Sequence, residues 1–251
     1  MTDLKDKRVF VTGSGAGIGK AIAALFAERG ARVVVSDRDE ESARQAAEQV
    51  RAAGIANCDV TDENQVNAAI ARTVELLGGL DVVINNAGIE VSSPLLQQST
   101  ESFDQVFAVN VRGPFLVMKA AAEHLVASKG NIVNISSIAG VGGTPLLGTY
   151  GATKAALLQL TRVAAVEMRP TGIRVNAISP AFADTKMVDR LAPDFEAATQ
   201  VPFGDLLAAK QGRLGTPEEI AELTAFLASD RASWITGANY ILDGGLSASL
   251  V

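Results

Sequence analysis

Short apolar segments alternate with longer amphipathic segments along most of the chain. We predict strands at 8–11, 32–35, 54–60, 80–84, 131–135, 172–178 and 240–242. Helices are predicted over 18–29, 40–53, 62–77, 100–128, 150–168 and from 216 onward. Strands that are continuously apolar are buried on both faces, and repeated strand–helix alternation is typical of parallel sheets. The pattern predicts an α/β fold: a doubly wound, parallel, seven-stranded sheet with helices on both faces.

The chain shows no linker, repeat or low-complexity tract, so we expect one domain over residues 1–251. The stretch 185–215 is the exception, because neither a strand nor a helix pattern is clear there. Long insertions in compact domains often cover binding sites. We therefore expect an irregular insertion that acts as a substrate lid.

Composition excludes several classes of function. With 22 basic and 28 acidic residues the net charge is −6, so there is no basic excess for nucleic acid or anionic membranes. No apolar run is long enough to span a membrane, and the charged N-terminus does not resemble a signal peptide. We expect a cytoplasmic protein. The single Cys58 and single His124 argue against a disulfide, a metal site and a histidine-based hydrolase.

A glycine-rich turn lies between the first predicted strand and helix. Gly13, Gly17 and Gly19 have the spacing G-x-x-x-G-x-G. Glycine lets the backbone approach a pyrophosphate, and the helix N-terminus directs N–H groups at the anion. Taken alone, such a turn could be only a flexible connection. It is more specific here because Asp37 follows the second strand, 18 residues beyond Gly19.

Asp37 and Arg38 favour different cofactors. A carboxylate at the end of the second strand accepts hydrogen bonds from ribose hydroxyls and repels a 2′-phosphate. The guanidinium of Arg38 could instead bind that phosphate. We favour NAD, because the acid occupies the position that faces the ribose.

Five motifs occur in one order along the chain. They are Thr12-Gly13-x-x-x-Gly17-x-Gly19, Asn85-Asn86-Ala87-Gly88, Asn110, Ser137 and Tyr150-Gly151-Ala152-Thr153-Lys154. In these motifs the chain resembles the classical short-chain dehydrogenase/reductase family over essentially its whole length. The resemblance implies a Rossmann fold and an oxidoreductase in which Asn110, Ser137, Tyr150 and Lys154 are the catalytic residues.

The chemistry of the tyrosine is consistent with that role. Tyr150 and Lys154 are four residues apart in a predicted helix, so they share a face. A tyrosine of ordinary pKa, near 10, is a poor base at neutral pH. We expect the lysine ammonium, together with a positively charged nicotinamide, to lower that pKa by about three units. Ser137 follows the fifth strand and can hydrogen-bond the substrate oxygen.

The resemblance also implies a set of cofactor contacts. Residues predicted to bind NAD are Gly13, Ser14, Gly17, Ile18, Gly19, Asp37, Arg38, Asp59, Val60, Asn86, Ala87, Gly88, Tyr150, Lys154, Pro180, Ala183 and Thr185. One position departs from the family pattern, since Ala181 follows Pro180 where the family usually has glycine. A positive φ at Ala181 would carry a strain that glycine avoids.

The predicted reaction is the interconversion of a secondary alcohol and a ketone. The residues expected to form the substrate wall are uncharged, which favours a small or medium hydrophobic alcohol. They are Ile138, Val141, Leu146, Leu147, Phe182 and Met187. A β-ketoacyl-carrier-protein reductase using NADPH is the alternative enzyme, and Asp37 argues against it. A dinucleotide-binding protein without catalysis is a third possibility, which the complete set of catalytic residues disfavours.

Two helices are apolar over more of their surface than one contact requires. One carries Phe103, Val106, Phe107, Val109, Val111, Phe115, Leu116, Val117 and Met118. The other carries Ala155, Ala156, Leu157, Leu158, Leu160, Val163, Ala164, Ala165 and Val166. Pairing across a two-fold axis would bury both, and the apolar end 246–251 could form a second interface. We therefore expect a homotetramer.

Overall fold

The computed structural model describes residues 3–248, and its centre is one seven-stranded sheet. The strands are β1 (Arg8–Thr12), β2 (Arg32–Ser36), β3 (Gly54–Ile55), β4 (Val82–Asn85), β5 (Asn131–Ile135), β6 (Arg174–Pro180) and β7 (Asn239–Leu242). Their order is β3-β2-β1-β4-β5-β6-β7, and every pair is parallel. The predicted doubly wound parallel sheet is confirmed.

Helices cover both faces of this sheet. They are α1 (Gly17–Glu28), α2 (Glu40–Val50), α3 (Glu63–Leu77), α4 (Thr100–Phe107), α5 (Gly113–Ser128), α6 (Gly148–Met168), α7 (Lys186–Thr199), α8 (Phe203–Lys210) and α9 (Pro217–Ala228). The apolar residues of α1, α2 and α9 pack in one cluster, and those of α3, α5 and α6 in another. The alternating apolar stripes therefore form a core layer on each side. In the described part of the chain, no helix has the length and hydropathy needed to cross a membrane.

Two local predictions need correction. The third strand is two residues long rather than spanning 54–60, so Asp59 and Val60 lie in a loop. The helix predicted over 100–128 is present, but Ala108–Arg112 forms a π-helical segment between α4 and α5. Such segments add a residue to a turn and occur often at functional sites.

Most of the segment 185–215 is helical, in α7 and α8, so the expected irregular insertion is wrong. Val188, Leu191 and Phe195 are spaced three and four residues apart on α7, and all three are buried. Phe195 and Phe203 pack edge-on against Phe182, with ring centroids 5.6 and 5.3 Å away. The apolar stripe of α7 therefore packs against α8 and against Phe182 in the loop after β6. The lid function stays a prediction.

The two halves of the sheet join where β1 lies beside β4. Arg8 binds Asp81 there through two hydrogen bonds of 2.8 Å from its guanidinium. Burial raises the pKa of the Asp81 carboxyl, but its hydrogen bonds with Arg8 outweigh this and hold the pKa below its usual range. Strand order reverses direction at this junction. In open α/β sheets, ligands bind at the carboxyl ends of the strands near such a point.

Candidate active site

A cleft of about 470 Å³ opens at the carboxyl ends of the central strands. It contains nearly every residue that the sequence assigned to a dinucleotide. These are Gly13, Gly17, Ile18, Asp37, Arg38, Asp59, Val60, Asn86, Ala87, Gly88, Tyr150, Lys154, Pro180, Ala183 and Thr185. Ser137 lines the same cleft. Residues from separate parts of the chain are therefore brought into one continuous surface.

Ser14 and Gly19 were predicted to bind the cofactor, but they do not line the cleft. The buried Ser14 hydroxyl donates to the Val11 carbonyl at 2.7 Å and accepts from the Ser36 amide at 3.0 Å. At Gly19, a Cβ atom would lie 2.4 Å from both the Gly13 carbonyl oxygen and the Asn86 amide nitrogen. Both residues therefore fix the conformation of the glycine loop from the side that faces away from the cleft.

The glycine loop fits a pyrophosphate. Gly17 has φ +53°, a conformation that L side chains rarely adopt, and it begins α1. Asn86 secures the loop by donating its side-chain amide to the carbonyls of Thr12 and Gly13, at 3.0 and 2.8 Å. The first turn of α1 thus presents backbone N–H groups to the cleft beside a surface without bulky side chains. These are the features that a bound dinucleotide phosphate requires.

Asp37 lies at one end of the cleft, beside the glycine loop. One carboxylate oxygen accepts from the Gly15 amide at 3.1 Å, and the other accepts from the Asp39 amide at 3.1 Å. These contacts fix the carboxylate in place. Arg38 also lines the cleft, but its side chain is exposed. The negative charge is therefore the more firmly positioned of the two at this end of the cleft.

Tyr150 and Ser137 form the opposite end of the cleft. Tyr150 lies near the start of α6 and is only 9% exposed. Burial raises the pKa of the Tyr150 phenol to about 12, the hydrogen bond with Ser137 opposes this, and the charge of Glu90 adds to it. The phenol is therefore protonated at neutral pH.

Lys154 lies one turn after Tyr150 and is 3% exposed. Its ammonium donates to the Ile135 carbonyl at 2.9 Å and sits 5.5 Å from the centroid of the Tyr150 ring. Burial lowers the pKa of Lys154 to about 8, so the lysine remains mostly charged at pH 7. The lowering expected from the Lys154 ammonium together with a nicotinamide stays a prediction; in the protein alone, burial raises the pKa of Tyr150.

Asn110 lies in the π-helical segment and is fully buried. Its side-chain oxygen accepts from the Ile89 amide at 2.9 Å, and its side-chain nitrogen donates to the Ile89 carbonyl at 2.8 Å. The same nitrogen donates to the Thr153 hydroxyl, beside Lys154, at 3.1 Å. Asn110 does not line the cleft. Its contacts fix the loop after β4 against α6, and thereby set the position of the residues that do.

Several lining residues were missed by sequence reasoning. They are Ala16, Cys58, Ile89, Val109, Ile135, Ser136, Ala181, Lys186, Val188 and Arg190. Ala181 was noted only as a departure from the family pattern, and it is not among the positive-φ residues of the described chain, so the expected strain does not arise. Lys186 and Arg190 are one turn apart on α7. A helix prediction for that segment could have placed them on one face.

The predicted substrate wall is only partly correct. Met187 lines the cleft, whereas Leu147 and Phe182 pack into the apolar cluster beside α7 and α8. Val141 is 48% exposed. Ile138 and Leu146 do not line the cleft either. Across the described residues, no group of three His, Cys, Asp or Glu side chains is arranged to hold a metal ion.

Comparisons with known proteins agree with this geometry. The family model described as Enoyl-(Acyl carrier protein) reductase matches residues 13–247. The chain is 44% identical to cis-4-hydroxycyclohexanecarboxylate dehydrogenase of Sinomonas cyclohexanicum, over 95% of each chain. Among solved structures, it is similar to gluconate 5-dehydrogenase from Burkholderia cenocepacia J2315 in complex with NADP and tartrate. The TM-score is 0.90, with 34% identity over 98% of this chain and 97% of that one.

A second solved structure bears another activity and another cofactor. The 3-ketoacyl-(acyl-carrier-protein) reductase from Brucella melitensis, complexed with NADH, matches with a TM-score of 0.89 and 32% identity. The match covers 97% of this chain and 99% of that one. The relatives thus differ in their named substrates and cofactors while they share the fold and the length of this chain.

Proposed function

The chain belongs to the short-chain dehydrogenase/reductase family and is an oxidoreductase acting on CH–OH groups; from this premise we propose that it interconverts a secondary alcohol and a ketone with NAD. One observation carries the proposal. The Tyr150 phenol lies beside Ser137, has the Lys154 ammonium 5.5 Å from its ring centroid, and shares one cleft with the glycine loop. The proton-transfer group and the dinucleotide site are therefore adjacent.

Each residue of the site has a role in this reaction. A bound nicotinamide supplies the carbon that accepts or donates the hydride. Tyr150 takes the hydroxyl proton during oxidation and returns it to the ketone oxygen during reduction. Ser137 hydrogen-bonds the substrate oxygen where charge develops, and Lys154 stabilises the tyrosine when it is deprotonated. Asn110 is a positioning residue, because it acts through Ile89 and Thr153.

A substrate panel tests the proposal. The protein is assayed with NAD and NADP against secondary alcohols, and with both reduced cofactors against the matching ketones, by following nicotinamide absorbance. The apolar lining residues Ile89, Met187 and Val188 favour a compact carbon skeleton, and the similarity to a dehydrogenase of a hydroxylated cyclohexane ring supports cyclic alcohols. Turnover of cyclohexanols is expected. Failure with every alcohol and ketone would refute the proposal.

The alternative activity is reduction of a β-ketoacyl group on a carrier protein. The similarity to the Brucella melitensis reductase favours it. The wild-type protein would then reduce a ketoacyl carrier-protein thioester far better than any cyclic ketone, preferably with NADPH. The panel includes that thioester, so the same experiment separates the two activities.

Cofactor preference should depend on Asp37. The fixed carboxylate favours NAD by accepting hydrogen bonds from the ribose and repelling a 2′-phosphate. Replacing it by serine removes the charge, so we expect the ratio of kcat/KM for NAD to that for NADP to fall by at least about tenfold. Asp39→Ser is the matched control, since Asp39 caps α2 and does not line the cleft. A wild-type protein that uses NADP as well as NAD would contradict the proposal.

We also propose that the chain assembles as a homotetramer. Phe103, Phe115, Val163 and Val166 are 43, 49, 41 and 63% exposed, although they lie on apolar helices. These residues support a two-fold pairing through α4–α5 and α6. The second interface was predicted to involve 246–251, of which 249–251 lie outside the described residues. Trp234, in the turn before β7, and Ile241, on the edge strand β7, are 97 and 44% exposed and favour an interface on that side.

Light scattering tests this assembly. The wild-type protein at micromolar concentration should have about four times the 26.0 kDa mass of one chain. Phe115→Glu should break the helix interface, because it places a charge in the apolar contact. Val141→Glu, in an exposed loop, is the control and should leave the mass unchanged. A monomeric wild-type protein would contradict the proposal, and a stable dimer would remove only the second interface. The cytoplasmic location stays a prediction.

A further inference from the structure

An ion pair lies at the border of the cleft, near Tyr150. The guanidinium of Arg190, on α7, donates from Nη2 to the Glu90 carboxylate at 2.7 Å and from Nε at 3.3 Å. The two residues are 100 positions apart, so the pair joins the loop after β4 to the segment after β6. Both donors point at the same carboxylate oxygen, Oε1.

The two partners have very different exposure. The Glu90 side chain is 7% exposed, whereas the Arg190 side chain is 63% exposed. Burying a carboxylate costs free energy unless a partner compensates for it. The backbone beside Glu90 is also fixed, because the adjacent Ile89 is hydrogen-bonded to Asn110 through both its amide and its carbonyl. Glu90 is therefore the buried, fixed partner of the pair, and Arg190 is the partner exposed to solvent.

Arg190 retains hydrogen-bonding capacity. A guanidinium has five N–H donors, and Glu90 occupies two of them. Among the described residues, no further partner of this side chain lies within hydrogen-bond distance. Because Glu90 already restrains the side chain, another anion can bind the remaining donors with a smaller loss of rotamer entropy.

Arg190 lies at the substrate end of the cleft. It lines the same surface as Ser137 and Tyr150. Its partner Glu90 is near enough to Tyr150 for its charge to act on the phenol. Two other cations line the cleft, but neither is free at the substrate end. Lys154 donates to the Ile135 carbonyl, and Arg38 lies next to Asp37 at the other end of the cleft. Lys186, one turn earlier on α7, follows Thr185, whose methyl is 3.6 Å from the Cβ position of Gly17 in the glycine loop.

We propose that Arg190, oriented by Glu90, binds a carboxylate of the substrate, so that the preferred alcohols are hydroxy acids with an apolar carbon skeleton. This inference rests on the proposed alcohol–ketone oxidoreduction and names its substrate class. The guanidinium fork matches the two oxygens of a carboxylate, and such charge-assisted pairs are stronger than neutral hydrogen bonds. The sequence favoured an uncharged alcohol because Arg190 was not recognised as part of the cleft.

Two substrates, a hydroxy acid and its uncharged methyl ester, test whether Arg190 binds the carboxylate. The probes are 4-hydroxycyclohexanecarboxylate and its methyl ester, oxidised with NAD by the full-length protein. The wild-type protein should prefer the acid by at least about tenfold in kcat/KM. In Arg190→Gln, kcat/KM for the acid should fall at least about tenfold, through KM, while the value for the ester should fall by a much smaller factor, the part due to loss of the Glu90 pair.

Three further variants distinguish carboxylate binding by Arg190 from a purely structural role of the ion pair. Arg190→Lys keeps the charge but loses the planar fork, so its preference for the acid should be intermediate. Glu90→Gln should weaken the preference, because the arginine is less well oriented. Lys210→Gln removes a positive charge from α8 outside the cleft and should behave as the wild-type protein.

Other results would refute the binding of a substrate carboxylate by Arg190. If kcat/KM falls equally for the acid and the ester in Arg190→Gln, the ion pair is only a structural contact between the loop after β4 and α7. A wild-type preference for the ester, or no turnover of the acid while neutral cyclohexanols are oxidised, would also refute it. Any of these three results leaves the proposed alcohol–ketone activity intact. Only failure of the neutral alcohols and ketones as well would refute that activity.

Discussion

Replacing Tyr150 by phenylalanine is expected to lower kcat by about a thousandfold or more in both directions. The substitution removes only the phenolic oxygen, so it removes the group that carries the proton between substrate and protein. Ser137 and Lys154 remain in place. Because Tyr150 is buried and its ring packs in the apolar cluster beside α7, phenylalanine fits the same space.

The chain provides its own control for this substitution. Its second tyrosine, Tyr240, lies on β7 and does not line the cleft. Tyr240→Phe should therefore have the kcat of the wild-type protein. Calorimetric titration with NAD should show nearly unchanged affinity in Tyr150→Phe, which separates lost chemistry from lost binding. A Tyr150→Phe variant with near-normal kcat would refute the role given to Tyr150.

Gly19→Ala is expected to disable the glycine loop without touching the cleft directly. The new Cβ would lie 2.4 Å from the Gly13 carbonyl oxygen and 2.4 Å from the side-chain amide nitrogen of Asn86. Asn86 cannot turn away freely, because it binds two loop carbonyls. The loop itself must shift. We expect NAD affinity to fall at least about tenfold and stability to fall by about 1–3 kcal/mol.

These effects are measured by titration with NAD and by thermal unfolding. A loss of 1–3 kcal/mol corresponds to a Tm lower by roughly 2–12 °C for a chain of this length. Gly204→Ala is the control, since a Cβ there meets nothing within 4 Å and φ is not positive. It should bind NAD normally, with stability unchanged or slightly higher. Normal affinity and Tm in Gly19→Ala would show that the loop is not fixed as tightly as its contacts indicate.

The parts of the fold that depend on local patterns could be predicted from the sequence. Buried parallel strands are apolar on consecutive residues, so most strands were identified within a few positions. Tyr150 and Lys154 share a helix face because they are four residues apart. The position of Asp37 follows from its place at the end of a strand. These properties need no knowledge of distant contacts.

The features that were missed depend on contacts between distant segments. The apolar stripe of α7 has meaning only once Phe203 and Phe182 pack against it. The π-helical segment has no local signature, although it sets the position of Asn110. The pKa of Tyr150 is raised chiefly by burial, and burial cannot be read from the spacing of residues along the sequence.

The neighbouring positions of β1 and β4 also have a consequence for how quickly the chain folds. Val9 pairs with Val82, so the central pair of the sheet closes only after the intervening strands and helices have been brought together. Closing such long loops is entropically unfavourable before the contacts are made, and folds rich in non-local pairing therefore fold slowly. The Arg8–Asp81 ion pair stabilises that same junction. We expect the glycine loop and the tyrosine helix to meet late in folding, when this junction closes.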